Sequence, residues 1–232
     1  MAEKLMNSNP FNLNGERSNN IIPIVEQIKS LEKEIKKQPE DVSLLHNLGH
    51  LYYLQGNLKQ AIKTFEKLLQ LKPNHPLTLY HLGLSYFRAA DLARAIRALH
   101  RVIELDTGFT MAYYWLGLIN YRAGHTHQAI ESLLNCLKRD PESLIALYDL
   151  AIIYLTIGNN KEAVKVLQRL IKAYPDHETA YYHLGKAFNN LERYHEALFN
   201  FNKAVELNPR DKQARRMIES IKEFTRYPEG PI

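Results

Sequence analysis

The sequence predicts an all-α solenoid: five helix-turn-helix repeats closed by an N-terminal and a C-terminal capping helix. Three observations predict it. Apolar and small residues fall at helical spacing in two groups, Leu45, Leu48, Gly49 and Tyr52, then Ala61, Phe65 and Leu68. A turn signal, Gln55-Gly56-Asn57, separates the groups, and Pro73 follows the second. The whole pattern then returns every 34 residues. It reappears as Leu79, Leu82, Gly83, Tyr86, Ala95 and Leu99, and again as Tyr113, Leu116, Gly117, Ala129, Leu133 and Pro141. Leu147, Leu150, Ala151, Tyr154, Ala163, Leu167 and Pro175 make the fourth copy; Tyr181, Leu184, Gly185, Phe188, Ala197, Phe201 and Pro209 make the fifth.

Each element has a reason in order. Residues 1–20 are rich in asparagine and serine and poor in large apolar side chains, so they are expected to form a disordered arm, with Phe11 and Leu13 able to dock in a groove. In 21–41, Ile24, Ile28, Leu31 and Ile35 repeat helically, Pro23 suits a first turn and Pro39 ends the run, as in a capping helix or degenerate half repeat. Glu32 and Lys36 are four apart, an exposed pair. The repeats occupy 42–75, 76–109, 110–143, 144–177 and 178–211. In each, a small residue on the first helix (Gly49, Gly83, Gly117, Ala151, Gly185) meets an alanine register on the second, where two helices approach closely. Thr107 replaces the usual proline and Asn120 the usual aromatic, so irregularity is expected in the second and third repeats. Asp140-Pro141 reads as a helix N-cap followed by proline at the first helical position. Residues 212–224, with Ala214, Met217, Ile218, Ile221 and Phe224, form a charged amphipathic helix that closes the last repeat; 225–232 is a tail.

Composition narrows the function. The chain has 232 residues, a net charge of +5 and one cysteine. No internal disulfide is possible, and Cys136 falls on an apolar helix face, as a small buried hydrophobe would. With no signal-like start and no membrane-spanning run, a cytoplasmic protein is expected, at most peripherally associated with a membrane or organelle. Basic and acidic residues are interspersed, so no nucleic-acid partner is expected. There is no phosphate loop, nucleophile elbow or zinc-protease helix; the expectation is a non-enzyme without cofactor.

The period and the signature residues together resemble the tetratricopeptide repeat (TPR) family over 42–211. That resemblance implies a right-handed superhelix whose first helices line a concave face used for ligands. Collecting first-helix positions outside the packing signature gives Tyr80, His81, Phe87, Tyr114, Trp115, Tyr121, Tyr148, Asp149, Tyr182, His183 and Lys186 as candidate partner-binding residues. Rings with a polar edge suit such a surface. His46 and His50 share the same face, and with His81 they raise a metal- or ligand-binding regulator as a further reading. The chaperone-clamp subclass, which takes acidic C-terminal peptides with inner lysine, asparagine and arginine, is not matched; Arg88 and Arg122 alone remain as carboxylate holders at the margin.

On the second helices, Lys67, Arg94, Arg97, Arg101, Arg169 and Lys203 form a broken basic set that an acidic partner or an anionic membrane surface would meet. The leading expectation is an adaptor or scaffold that holds a peptide or helix in an aromatic groove. The alternative is a self-assembling scaffold on an organelle or membrane surface.

Overall fold

The computed structural model describes residues 17–226, with side-chain surroundings from residue 23 onward. The described residues form twelve α-helices, in two compact units divided between Thr107 and Gly108. The first unit holds α1 (Arg17–Lys37), α2 (Val42–Gln55), α3 (Leu58–Leu71), α4 (Pro76–Arg88) and α5 (Leu92–Leu105). The second holds α6 (Thr110–Arg122), α7 (Thr126–Arg139), α8 (Leu144–Thr156), α9 (Asn160–Ala173), α10 (Glu178–Asn190), α11 (Tyr194–Leu207) and α12 (Lys212–Arg226). Within each unit every helix packs on the next in sequence. The first helices of neighbouring repeats also touch: α2 with α4, and α8 with both α6 and α10.

The packing register explains the sequence pattern. Phe65, Leu99, Leu133, Leu167 and Phe201, one per repeat, are fully buried, as are Ala61, Ala95, Ala129, Ala163 and Ala197. The first-helix glycine lies directly against this core. A methyl group at Gly49 would sit 2.6 Å from Phe65 Cε1, and one at Gly117 would sit 2.7 Å from Leu133 Cγ. No side chain fits between the paired helices there.

Each repeat turns at the same place. Gly56, Ala90, Gly124, Gly158 and Glu192 all have left-handed backbone, φ between 60° and 87°. In the first repeat the Gly56 N–H donates to the carbonyl of Tyr53 and the Asn57 N–H to that of Tyr52, satisfying the helix end. Asn57, Asp91 and Asn159 then cap the following helix by accepting from the backbone N–H three residues on.

Three local expectations are corrected. α1 begins at Arg17, so 17–20 are helical, and Pro23 lies inside the helix, not in its first turn. Asp140 ends α7; α8 begins at Leu144 behind Ser143, which leaves Pro141 in the connection. α12 runs to Arg226, so Thr225 and Arg226 belong to the helix. Phe11, Leu13, the rest of 1–16, and 227–232 lie outside the described residues. Among the described residues, no helix is long and apolar enough to cross a membrane.

Candidate functional site

The candidate residues sit on the first helices, and the structure divides them by exposure. In the first unit, Tyr80, His81 and Phe87 on α4 are half-buried. In the second, Tyr121, Tyr148, Tyr182, His183 and Lys186 are half-buried. Tyr114 and Trp115, in contrast, are only 3% and 6% exposed, and Asp149 only 8%. These three are corrected from open groove wall to buried side chains. The reason is the closeness of neighbouring first helices. The Tyr114 hydroxyl donates to Asp149 Oδ2 at 3.0 Å, and the Trp115 ring packs edge-on against Tyr114 with centroids 5.5 Å apart. Burial raises the Asp149 carboxyl to about 6, with the Tyr114 bond pulling the other way.

The same step between repeats recurs with different chemistry. Tyr148 meets His183 Nε2 through its hydroxyl at 3.2 Å and lies 5.8 Å from the His177 ring. Tyr182 packs against His183 and Phe201. In the first unit, His46 on α2 and His75 before α4 both reach the Thr78 hydroxyl, at 3.2 and 2.7 Å. His81 stands between His46 and His50, with centroids 5.3 and 4.9 Å away. Burial is the main cause that lowers all four imidazoles, His81 to about 3. Among the described residues, no group of three histidine, cysteine or acidic side chains is arranged to hold a metal ion.

Sequence reasoning missed several of these partners. His75 and His177 are N-caps whose Nδ1 accepts from Thr78 and Ala180 N–H. Their signal was available: both stand just ahead of a first helix, at one register. Glu32, read as half of an exposed pair with Lys36, accepts the Tyr52 hydroxyl at 2.5 Å; Glu66 does the same for Tyr86. Burial, and then these carboxylates, push both phenols up to about 12. Arg88 is not free for a ligand, because it donates to the Tyr53 carbonyl at 2.7 Å and lies over the Tyr53 ring.

On the second helices, the basic set is held locally. Arg94 pairs with Asp91 at 2.6 Å, Arg101 with Glu104 at 2.8 Å and Lys203 with Glu206 at 2.8 Å. Arg169 donates to the Pro141 carbonyl, and Lys67 and Arg97 are exposed. In the second unit, Phe199 is 69% exposed at the rim of a cleft of about 610 Å³ that includes Ile171, Tyr181, Phe188 and Arg193.

Stacked helix pairs at a constant period, with a small residue at each crossing, define a helical-repeat protein. Four family models match, one described as TPR repeat over 49–89 and three as Tetratricopeptide repeat over 80–126, 120–187 and 179–211. The chain belongs to the tetratricopeptide repeat family. Among solved structures it is similar to a crystal structure of MamA protein, with 25% identity and a TM-score of 0.69, covering 84% of this chain and 99% of that one. A second MamA crystal structure is 28% identical with a TM-score of 0.66, over 70% of this chain and 95% of the other. YrrB, a TPR protein with an unusual peptide-binding site, shares the fold at 19% identity and a TM-score of 0.71, over 83% of this chain and 99% of its own. No curated protein sequence matches the chain.

Proposed function

We propose that the chain is a non-enzymatic adaptor whose first-helix faces hold a peptide or helix of another protein. One observation carries the reading. In both units those faces leave rings half-open at repeated positions, Tyr80 and Phe87 in the first, Tyr121, Tyr148 and Tyr182 in the second. Such rings offer rigid apolar area with a polar edge, which is what anchors of a bound segment need. Membership of a repeat family, and the peptide-binding site of YrrB, support the reading. A cytoplasmic setting, with Cys136 kept as a buried thiol, is part of the proposal. The test is partner capture from lysate by wild type, by a Tyr80→Ala/Phe87→Ala variant and by a Tyr148→Ala/Tyr182→Ala variant, each first shown to be helical. At least one pair is expected to lose capture; full capture by both ends the proposal.

A second reading, self-association, is favoured by Phe199, an aromatic ring largely in solvent beside an apolar cleft. Light scattering should then show a larger particle for wild type than for Phe199→Glu. Equal masses at the monomer value dismiss it.

A further inference from the structure

The second helices share one outward register: Lys63, Arg97, Glu131, Lys165 and Phe199, each 34 residues from the next and each exposed. Four of these side chains are charged. The fifth is a ring left 69% exposed. Packing inside a repeat does not call for a ring there, since the other four repeats do without one. Around Phe199 the charges of α11 are ordered. Glu196 stands three residues before it and Lys203 four residues after it, so the three share one side of the helix. The order acid, ring, base is its own complement when reversed. Two copies of α11 laid antiparallel, with Phe199 at the centre, set Glu196 of each copy against Lys203 of the other, twice by symmetry. Glu196 and Lys203 are held in their own chain only by exposed pairs, with Arg193 at 2.5 Å and Glu206 at 2.8 Å, which cost little to exchange. The cleft of about 610 Å³ beside Phe199, with Ile171, Tyr181 and Phe188, gives a second ring apolar surface to close on.

The other second helices oppose themselves in the same arrangement. An α3 pair would set Lys63 against Lys63, an α7 pair Glu131 against Glu131 and an α9 pair Lys165 against Lys165. An α5 pair is worse, with Arg97 against itself and Arg94 against Arg101. Like charges so placed repel. We infer that α11 pairs with α11 of a second copy, antiparallel, about a two-fold axis beside Phe199. The inference rests on the self-association reading above and adds the surface, the orientation and the charge pairing. One helix face buries less than the about 800 Å² per partner of a standard interface, so the dimer is weak and reversible.

The test is sedimentation velocity of the full chain between about 5 and about 500 µM, a range that brackets a weak dimer. Wild type is expected to pass from monomer to dimer and to stop there. Glu196→Lys and Lys203→Glu each place like charges opposite one another twice, and each should weaken the dimer about tenfold or more. Mixed in equal amounts, these two variants should dimerise again, because every base of one chain then meets an acid of the other. The double variant Glu196→Lys/Lys203→Glu should dimerise by itself. Circular dichroism first shows each variant to be helical. A wild type that stays monomeric or grows beyond a dimer, single variants that dimerise as wild type does, or a mixture no tighter than its components would each overturn the inference. If Phe199→Glu abolishes association while the mixture regains nothing, self-association through the ring stands and only the antiparallel pairing is refuted. If Phe199→Glu associates as wild type does, both fail.

Discussion

Asp149 and His81 occupy one repeat register and are perturbed in the same sense, toward the neutral form. Burial is the cause in both, yet the consequences for stability run in opposite directions along the pH scale. Asp149 is raised to about 6, so the unfolded chain loses its proton near pH 4 while the folded chain keeps it to about 6. The full stability is present below about pH 4 and is reduced as pH rises through 6, by up to about 3 kcal/mol at neutral pH. Asp149→Asn keeps an acceptor for the Tyr114 hydroxyl and removes the charge. Urea unfolding should therefore find it more stable than wild type by about 1–3 kcal/mol at pH 8, with the gain gone below about pH 4. His81 is lowered to about 3, so below about pH 6.5 the unfolded chain binds a proton that the folded one refuses. Wild type should lose stability from about pH 6.5 downward, and His81→Phe should flatten that loss, as read from melting temperatures at about pH 7 and pH 5. Helical spacing showed that Asp149, Tyr114 and Trp115 share a face. It could not show that the next first helix stands near enough to seal them, because that depends on the size of every side chain at the crossing.

The helix pair was legible in the sequence because its packing depends on absent atoms, and an absent side chain is visible as a glycine. The tolerance of each glycine differs with what opposes it. At Gly49 a methyl group meets the Phe65 ring at 2.6 Å, whereas at Gly83 the nearest atom is Leu99 Cγ at 3.1 Å. Gly49→Ala should lose about 1–3 kcal/mol by overpacking. In Gly83→Ala, the gain in helix propensity of about 1 kcal/mol should roughly offset a slight displacement of Leu99. Thermal unfolding of the two variants side by side checks both values. The turns were less legible. Glycine advertises the left-handed position at 56, 124 and 158, but Ala90 and Glu192 adopt it too, at φ of 62° and 60°. Only the period, carried onto residues without the usual signal, would have found them. Ala90→Gly and Glu192→Gly should each stabilise the fold by about 1 kcal/mol, measured by denaturation, since the strain of an L-residue there exceeds the added freedom of the unfolded chain. Pro141 misled for a related reason. Proline is common just inside a helix, but here Asp140 is needed to end α7, and the chain spends three further residues before α8.

At the scale of the molecule, the sequence gives one unbroken period while the structure gives two compact units that divide after Thr107, the residue standing in place of a proline. A single threonine cannot announce that division, because the helices on either side keep their spacing. Among the described residues, ion pairs join residues three apart on one helix surface, as with Arg94 and Asp91 or Lys203 and Glu206. Stability should therefore respond weakly to ionic strength, with a melting temperature that moves by no more than a few degrees between about 0.05 and about 0.5 M salt.

Cys136 is buried, and its thiol is pushed up to about 11, first by burial and then by the charge of Asp140. The wild-type chain should therefore react slowly with maleimides at neutral pH. A second cysteine engineered at an exposed site such as Leu134 should take a fluorophore or spin label well ahead of Cys136, so that positions along the repeats can be tagged singly without first rebuilding the interior.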